Sequence, residues 1–451
     1  MNLSRIINIV AVLPVLYQPA NAASKRAPNV IIILTDDQGS IDVNCFGAKD
    51  LKTPNMDKLA AEGVRFTQFY VGSAICSPSR ACILTGKTPQ KAGLPGMASS
   101  MKGESGMPTE QVTIAEVLKG AGYKTGHVGK WHVGYSPETM PLGQGFDYSF
   151  GHMGGCIDNY SHFFYWSGPN RHDLWENGIE IFKDGTYFPD LMVEKATSFI
   201  KDNAAKPFFL YLAFNSPHYP VQPPEKWRNF YKDLSSPRRE YAAIVSSTDE
   251  HIGKVIDFLE KKGLRENTII IFLSDQGHSY EERTGGGGGN SGPYRGGKFS
   301  LFDGGIRIPA IISWKGQIPK GVVCDMLCLS MDILPTIADL CGVNKIPEGV
   351  EGKSIKSIIL EGRNIHANDT LHWQLGKQWA VRNGDWKLIG NPVDPSEGSK
   401  NLIFPQDNLF LVNLKDDVSE SKNVAVQFPE KLNEMVAMYK RWKYTKELLI
   451  P

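Results

Sequence analysis

The sequence predicts an α/β fold with a large, mostly parallel mixed sheet flanked by helices, followed by a small antiparallel sheet with one helix. Two β-branched apolar runs, residues 29–34 and 267–273, are typical of strands buried on both faces. Helical and strand-like segments alternate between these runs, as they do in doubly wound sheets. After residue 365, short strands and polar turns replace this alternation, which indicates a second, antiparallel unit.

The elements between the two apolar runs follow one another with clear signals. We expect helices over residues 53–63 and 113–118, and strands over residues 64–70, 124–129 and 207–214. In the C-terminal part we expect strands over residues 371–373, 379–382, 386–389 and 409–414, and a helix over residues 429–443. The turn Asn383-Gly384-Asp385 is a hairpin signal between two of these strands. The pattern therefore divides the mature chain into residues 23–362 and 363–451.

The N-terminus predicts export. Arg5 precedes a short apolar run over residues 6–16, and Ala20-Asn21-Ala22 has the form of a cleavage site. These features are those of a secretory signal peptide over residues 1–22. The run is too short and too interrupted for a membrane span, and no later stretch reaches membrane length. We therefore expect a secreted protein; its location in a bacterial periplasm is implied only by the family resemblance described below.

Composition excludes several function classes. The chain has 451 residues, 41% of them apolar, which is enough for a large core. Its 49 basic residues balance 48 acidic ones, so no overall field favours nucleic acid or an anionic membrane. Seven cysteines spread over this length do not form a disulfide framework. Cys324 and Cys328 are close enough in sequence to pair, but the sequence does not establish that bond.

Polar side chains follow the two buried runs. Asp36 and Asp37 come after the first run, and Asp275 and Gln276 come after the second. Open α/β sheets bind ligands at the carboxyl ends of their strands, so these side chains are expected to meet. Adjacent carboxylates repel each other unless a cation lies between them, and oxygen ligands suit Ca²⁺ or Mg²⁺. A solvated acidic turn is the alternative when either stretch is considered alone.

The eleven residues from Cys76 to Gly86 carry a second signal. Ser77 and Pro78 are typical of a helix N-cap and first helical position, and Gly86 of a helix end. Cys76 would then lie at a helix N-terminus, where negative charge is favoured. A thiol there is either an activated nucleophile or a group that helps to hold an anion. A small buried residue before an ordinary helix is the simpler alternative.

Three further strand or loop positions offer cations and proton carriers. Lys130 and His132 end the strand over residues 124–129 and share one face of an extended chain, an arrangement suited to binding an oxyanion and moving protons. His218 follows the strand over residues 207–214. Taken alone, a Lys-x-His pair usually lies on the protein surface without a catalytic role, and a His in a Pro-rich loop usually has a structural role.

Together these strings resemble a known family. Cys-x-Pro-Ser-Arg followed by Leu-Thr-Gly resembles the signature of type I sulfatases of the alkaline-phosphatase superfamily, and Gly-Tyr-x-Thr-Gly-x-x-Gly-Lys-Trp-His resembles their second signature. The resemblance implies that a maturation enzyme oxidises Cys76 to formylglycine, whose hydrate attacks the sulfur of a sulfate ester. It also implies one Ca²⁺ ion held by Asp36, Asp37, Asp275 and Gln276, with position 76 in the same shell.

The resemblance assigns the remaining roles as well. Arg80 would steady the aldehyde, Lys130 and Lys298 would bind sulfate, His132 would regenerate the aldehyde, and His218 would protonate the leaving alcohol. Gln276 stands where the family more often has Asn or His. Asp303 stands in place of the usual Glu of a Glu-Gly-Gly-x-Arg-x-Pro element, which we interpret as scaffold around the site.

Two stretches are candidate substrate surfaces. The segment His152–Trp175 is rich in aromatic residues, and within it Arg171 and His172 are candidate contacts to a sulfated sugar. Burial beneath the edge of the domain is the alternative. The loop Gly285–Gly289 is either a lid or a slack connection.

The predicted function is a sulfuric ester hydrolase acting on a sulfated sugar, such as a galactose-based polysaccharide or a glycosaminoglycan. A phosphomonoester, phosphodiester or phosphonate ester hydrolase of the same superfamily is the first alternative. A catalytically silent binder of sulfated glycans is the second.

Overall fold

The computed structural model describes residues 26–166, 168–361, 370–397 and 408–447. The expected signal peptide, residues 1–22, and the expected domain boundary at residue 362 lie outside these ranges. Across the described ranges, no helix combines the length and apolar character that a bilayer crossing requires.

The strands are, in chain order, β1 (Asn29–Asp36), β2 (Val64–Phe66), β3 (Phe69–Tyr70), β4 (Lys124–Lys130), β5 (Tyr148–His152), β6 (Phe163–Phe164), β7 (Arg171–His172), β8 (Trp175–Glu176), β9 (Ile179–Glu180), β10 (Phe208–Pro217), β11 (Thr268–Ser274), β12 (Ala310–Trp314), β13 (Val322–Cys324), β14 (Cys328–Leu329), β15 (Thr370–Leu375), β16 (Gln378–Asn383), β17 (Trp386–Gly390) and β18 (Leu409–Asn413). The α-helices are α1 (Pro54–Ala61), α2 (Cys76–Thr85), α3 (Ile114–Gly120), α4 (Phe188–Asp202), α5 (Glu225–Phe230), α6 (Arg238–Lys261), α7 (Asp303–Ile306), α8 (Ile333–Leu340), α9 (Lys356–Glu361) and α10 (Pro429–Glu447).

The large sheet is mixed, with a parallel centre. Its strand order is β13-β2-β12-β11-β1-β10-β4-β5-β8-β9. Strands β11, β1, β10, β4 and β5 run parallel to one another, whereas β12, β2, β8 and β9 add antiparallel pairs toward the two edges. The parallel centre confirms the fold class that the two apolar runs predict.

Strand β1 is buried along its whole length, because helices cover both faces of the sheet. Val30, Ile32 and Leu34 pack into one core with residues of α2, α3 and α8. Ile31 and Ile33 point the opposite way and pack with residues of α1, α4 and α6. Each buried aliphatic side chain contributes about 1.5–3 kcal/mol, so the alternation fixes the register of β1 against its neighbours.

The C-terminal unit is the predicted antiparallel sheet. Strands β15, β16, β17 and β18 pair in sequence order, and Gly384 adopts a left-handed φ of 57° in the turn between β16 and β17. Helix α10 packs Met435 and Tyr439 against Val381 and Leu388 on one face of this sheet.

A buried charged cluster joins the C-terminal sheet to the large unit. Lys387 Nζ lies 2.7 Å from Asp303 Oδ1 and 2.8 Å from Glu420 Oε1, and all three side chains are fully buried. Burial and the Asp303 charge raise the pKa of Glu420 to about 7, against the opposing effect of Lys387. Asp303 is therefore a structural joint, in agreement with the interpretation of its sequence element as scaffold.

Two local expectations differ from the structure, and the Cys324–Cys328 bond that the sequence left open is absent. Helix α2 begins at Cys76, and its N-cap is Ile75 in an extended conformation, not Ser77. The Ser77 hydroxyl accepts a hydrogen bond from the Ala98 backbone N–H at 3.0 Å, so it is not available to cap the helix. The strand expected over residues 64–70 is split into β2, in the large sheet, and β3, which pairs with β14. Cys324 and Cys328 do not pair, because every cysteine is a free thiol. Gly86 ends α2 with a left-handed φ of 67°, as expected.

Candidate active site

Four neighbouring parallel strands deliver the candidate residues to one edge of the sheet. Asp36 ends β1, Asp275 follows β11, Lys130 ends β4, and His218 follows β10. Because these strands are adjacent and parallel, their carboxyl ends lie side by side. The side chains that the sequence places after separate strands therefore form one buried cluster.

Cys76 is the first residue of α2 and is fully buried within this cluster. Its Sγ lies 3.8 Å from Asp36 Oδ1 and 3.3 Å from Gln276 Nε2. Burial raises the pKa of the Cys76 thiol to about 12, although Lys130 and Lys298 oppose this shift. The thiol is therefore protonated at neutral pH, and it does not meet the requirement of an activated thiolate nucleophile.

Arg80 lies one turn further along α2 and ties three strand ends together. Its Nε and Nη2 lie 3.0 and 2.9 Å from Asp275 Oδ2. Its Nη1 donates to the Lys130 backbone carbonyl at 2.9 Å, and its Nη2 is 3.6 Å from Asp36 Oδ2. A planar guanidinium with several fixed donors suits this bridging position better than an ammonium would.

Two lysines compensate the two adjacent carboxylates. Lys130 Nζ lies 2.6 Å from Asp36 Oδ2, and Lys298 Nζ lies 2.9 Å from Asp37 Oδ2. Burial alone would raise the pKa of Asp36, but the Lys130 and Arg80 charges hold it well below its usual range. Asp36 is therefore ionised.

The cations of the cluster do not fully stabilise the ionised forms of the other two carboxylates, those of Asp37 and Asp275. Burial and the Asp36 charge raise the pKa of Asp275 to about 7. Burial also raises the pKa of Asp37 to about 6, even beside Lys298. Asp37 adopts a left-handed φ of 63°, a costly conformation for a non-glycine residue, and this backbone turns its carboxylate into the cluster.

The donor set fits a hard divalent cation. One ligand atom from each of Asp36, Asp37, Cys76 and His218 lies within 4.8 Å of the others. The Gln276 amide reaches the same place, since its Nε2 lies 2.5 Å from Asp37 Oδ1, while its Oε1 is buried without a hydrogen-bond partner. Carboxylate and amide oxygens at loose distances are the ligands that Ca²⁺ accepts.

His132 and His218 contribute two neutral imidazoles. His218 Nδ1 donates to the Tyr219 carbonyl at 2.7 Å, which leaves the lone pair on Nε2, 3.7 Å from Asp37 Oδ2. His132 is buried with Nδ1 unpartnered, in a left-handed conformation with a φ of 58°. Burial lowers the pKa of both histidines well below its usual value, helped by Lys298 at His218 and Lys130 at His132.

The two candidate substrate residues occupy different surroundings. Arg171 Nε donates to the Ser100 carbonyl at 2.8 Å, and its guanidinium lies 4.0 Å from the centre of the Phe164 ring. The Ser100 hydroxyl accepts from Gly155 N–H, and Gly155 borders His132, so Arg171 is linked to the site through two intervening residues. His172 faces away from Arg171, stacking on Phe182 and bonding Glu180 at 3.1 Å.

Sequence reasoning missed several supporting residues. Glu281 lies 3.4 Å from Lys298, Tyr219 accepts the His218 hydrogen bond, and the Ser79 hydroxyl donates to the Asp275 carbonyl. Ser79 belongs to the Cys-x-Pro-Ser-Arg string and was available as a signal. No sequence pattern indicates Glu281 or Tyr219, because their positions depend on how the loops fold.

The glycine-rich loop is anchored at one end. Arg238 Nη1 donates to the Gly288 carbonyl at 2.8 Å, and a Cβ at Gly289 would overlap His278. His278, two residues after Gln276, directs Nδ1 to Ser291 Oγ at 3.0 Å. Its packing beneath Gly289 and its bond to Ser291 indicate a structural role.

An α/β sheet that gathers carboxylates, lysines and a helix-terminal Cys at one edge defines an enzyme acting on esters of strong oxyacids. The chain belongs to the sulfatase family, whose model matches residues 28–343. A second model, described as the C-terminal part of N-sulphoglucosamine sulphohydrolase, matches residues 296–437. Membership makes the protein a sulfuric ester hydrolase by class, as the two signature strings predict.

Known relatives agree with this assignment. The arylsulfatase of Hemicentrotus pulcherrimus is 35% identical over 378 residues, which cover 80% of this chain and 67% of that protein. The N-acetylgalactosamine-6-sulfatase of Homo sapiens is 32% identical over 369 residues, covering 76% and 67% of the two chains. The chain thus spans about two thirds of the length of these curated relatives.

Among solved structures, the crystal structure of Ps i-CgsB in complex with k-i-k-neocarrahexaose has a TM-score of 0.82 and 30% identity. The match covers 92% of this chain and 93% of that one. It includes the small C-terminal sheet as well as the large one, so the two-part architecture is that of the family.

Proposed function

We propose that this sulfatase releases inorganic sulfate from a sulfated carbohydrate, using formylglycine formed from Cys76. Cys76 supports this most directly, because it is the first residue of a buried helix and lies within 3.8 Å of Asp36 and 3.3 Å of Gln276. Its thiol is too basic to act as a thiolate. Oxidation to an aldehyde would convert an inert thiol into a reactive group at the centre of the cluster.

The modified residue and the metal each supply one piece of chemistry. The hydrated aldehyde of formylglycine supplies a hydroxyl nucleophile for the sulfur of the ester. Asp36, Asp37, Asp275 and Gln276 would hold a calcium ion beside position 76, and that ion would supply positive charge that lowers the pKa of the hydroxyl.

The cationic side chains bind and orient the sulfate. Lys130 and Lys298 approach the cluster from the ends of different segments and lie 2.6 and 2.9 Å from carboxylate oxygens. Donors fixed in this way stabilise charge that grows on the sulfonyl oxygens. Arg80 holds Asp275 and the Lys130 backbone, so it positions both sides of the site.

The two histidines divide the proton transfers. His218 keeps its Nδ1 proton on the Tyr219 carbonyl, so Nε2 is the atom that takes up and delivers a proton to the leaving alcohol. A bound sulfate ester brings negative charge, which favours the imidazolium form that burial disfavours. His132, unpartnered at Nδ1, takes the proton released when sulfate departs and the aldehyde reforms.

A carbohydrate substrate is favoured by the aromatic segment and by the relatives. Tyr160 and Tyr165 are exposed in the segment that also carries Arg171, so the segment offers rings for stacking and a cation for acidic groups. The printed names of similar proteins include a carrageenan oligosaccharide complex and an N-acetylgalactosamine-6-sulfatase. We propose a galactose-based sulfated glycan or a glycosaminoglycan as the substrate, encountered after export to the bacterial periplasm.

A panel of defined sulfated sugars, with inorganic sulfate as the readout, tests this function. Matching phosphate and phosphonate esters belong in the same panel, because the alternative hydrolases would cleave those instead. The protein requires co-expression with a formylglycine-generating enzyme, and the Cys76→Ala variant is the inactive control. Retention of a sulfated glycan without release of sulfate would support the silent-binder alternative and contradict the proposal.

A further inference from the structure

A second group of potential metal ligands lies in the aromatic segment, outside the sulfatase cluster. His162 stands just before β6, His172 ends β7, and Asp184 stands in the turn that precedes α4. One ligand atom from each of these side chains lies within 4.8 Å of the other two. Strands β6 and β7 pair antiparallel, with Phe163 opposite His172, which brings the two imidazoles to one end of the hairpin.

The hydrogen bonds of the two histidines fix which nitrogen carries the lone pair. His162 Nε2 lies 3.1 Å from the Thr186 carbonyl oxygen, which can only accept, so Nε2 carries the proton. His172 Nδ1 lies 3.1 Å from Glu180 Oε1, a carboxylate that also accepts. The lone pairs therefore lie on His162 Nδ1 and His172 Nε2. Metal-binding histidines typically donate their other N–H to a carbonyl or a carboxylate in this way.

Both lone-pair nitrogens lack a hydrogen-bond partner although they are buried. The His162 residue is 0% exposed, and the His172 side chain is 5% exposed. An unpartnered buried acceptor is costly, and buried polar atoms normally have a partner. Burial lowers the pKa of His162 from its usual value, which keeps that imidazole neutral and its lone pair available. Asp184 is exposed at the mouth of the group, where its carboxylate can turn toward an incoming ion.

We propose that His162, His172 and Asp184 bind a divalent transition-metal ion, with Zn²⁺ as the best-fitting ion. Two imidazoles and one carboxylate give three protein ligands and leave a fourth tetrahedral position for water. The nitrogen content separates this site from the oxygen-rich sulfatase cluster, which suits Ca²⁺. The ion would join the β6–β7 hairpin to the turn before α4, and so brace the aromatic segment that carries Arg171.

Zinc binding to the full-length protein, measured by titration calorimetry in excess Ca²⁺, tests the proposal. The variants are Asp184→Asn and His172→Gln, and the matched control is Asp233→Asn, an exposed carboxylate elsewhere on the surface. One zinc equivalent should bind to the wild type and the control, and bind at least about tenfold more weakly to both site variants. Glu180→Gln should weaken zinc binding about tenfold, since it replaces the charged acceptor that orients His172 with a neutral amide.

Two further measurements guard against misfolding and against zinc held by free thiols. Far-ultraviolet circular dichroism should be unchanged in Asp184→Asn, and zinc should raise the melting temperature of the wild type more than that of this variant. Co²⁺ bound in place of zinc should give the visible absorption of a four-coordinate site in the wild type, and lose it in Asp184→Asn. The absence of zinc binding in excess Ca²⁺, or equal affinity in wild type and both site variants, would overturn the proposal.

Discussion

The Lys130 ammonium lies 2.6 Å from Asp36 Oδ2, and both side chains are completely buried. Lys130 ends β4 and Asp36 ends β1, two strands that are separated in the sheet by β10. The ion pair therefore joins the ends of two strands across the intervening strand β10. It also keeps the Asp36 carboxylate ionised, although burial alone would favour the protonated form.

Replacement of Lys130 by Met should destabilise the metal-free protein, prepared with a chelator, by about 3–5 kcal/mol, because it leaves the buried Asp36 carboxylate without its closest cation. Sulfatase activity of the metal-loaded protein should fall at least about 100-fold through loss of a sulfate-binding cation. Urea unfolding in the presence of a chelator and steady-state kinetics measure the two effects. The control is Lys58→Met, whose exposed contact with Glu260 at 4.0 Å should be worth less than about 1 kcal/mol. Equal destabilisation in both variants would contradict the argument.

Active protein should carry formylglycine at position 76. Peptide mass spectrometry should show the loss of sulfur and the gain of oxygen at Cys76, and Cys76→Ala should be inert while remaining folded. Cys341→Ala, at a partly exposed thiol away from the cluster, is the matched control and should retain full activity. Full activity with Cys76 entirely in the thiol form would rule out the proposed mechanism.

Loss of His218 should affect substrates unequally. If its Nε2 protonates the leaving alcohol, His218→Ala should reduce turnover of alkyl and sugar sulfates most, by about 10²–10⁴-fold. A nitrophenyl sulfate, whose leaving group needs little protonation, should be partly spared. Comparison of kcat on the two substrate types measures the difference. Equal losses would move the acid role to Lys298 or another group.

Gln276→Ala should weaken Ca²⁺ affinity and activity together, and excess Ca²⁺ should restore part of the activity. The Nε2 end of the side-chain amide lies beside Asp37 and Cys76, and a flip of the amide would bring Oε1 to that position to complete the metal shell. Gln276→Asn should be milder, because Ca²⁺ accepts ligand distances of about 2.3–2.6 Å and flexible geometry. Calcium titration monitored by calorimetry measures both variants. Unchanged calcium affinity in Gln276→Ala would assign the fourth position to water or another residue.

The pH dependence of stability should contain a contribution from Glu420. Burial beside Asp303 raises the pKa of Glu420 from the usual 4.5 to about 7 in the folded protein. Between these values the folded state keeps a proton that the unfolded state has released, so the free energy of unfolding falls as pH rises through this window. The free energy of unfolding of Glu420→Gln should match that of the wild type near pH 4.5 and exceed it above about pH 7. Parallel stability profiles for the two proteins would contradict the assignment.

The long buried strands were predictable because their chemistry is local. The run Val30–Leu34 needs no tertiary information to indicate a strand covered on both faces, and parallel geometry then brings Asp36 and Asp275 together. The start of α2 was mispredicted because Ser77 bonds Ala98, a contact between segments that sequence spacing does not encode.

The aromatic segment shows a second limit of sequence reasoning. The segment is partly exposed, as a substrate surface would be, and partly buried, as the alternative predicts, since Tyr165 is exposed whereas Trp175 is buried. The strands there are two residues long and depend on the hairpin contacts around them. Arg171 and His172 are neighbours in sequence, yet Arg171 contacts Ser100 and His172 contacts Glu180. In so short a strand, sequence periodicity alone cannot predict which way each side chain points.

The central position of β1 has a consequence for how the chain acquires its structure. Asn29 meets Phe208 and Thr268, its partners in β10 and β11, across separations of 179 and 239 residues. This apolar strand emerges early in synthesis, and 179 further residues must follow Asn29 before its first partner in β10 exists, and 239 before its first partner in β11. Such non-local pairing is slow and leaves hydrophobic surface exposed meanwhile. Recombinant yield should therefore depend on chaperone supply and growth temperature more than on the stability of the finished enzyme.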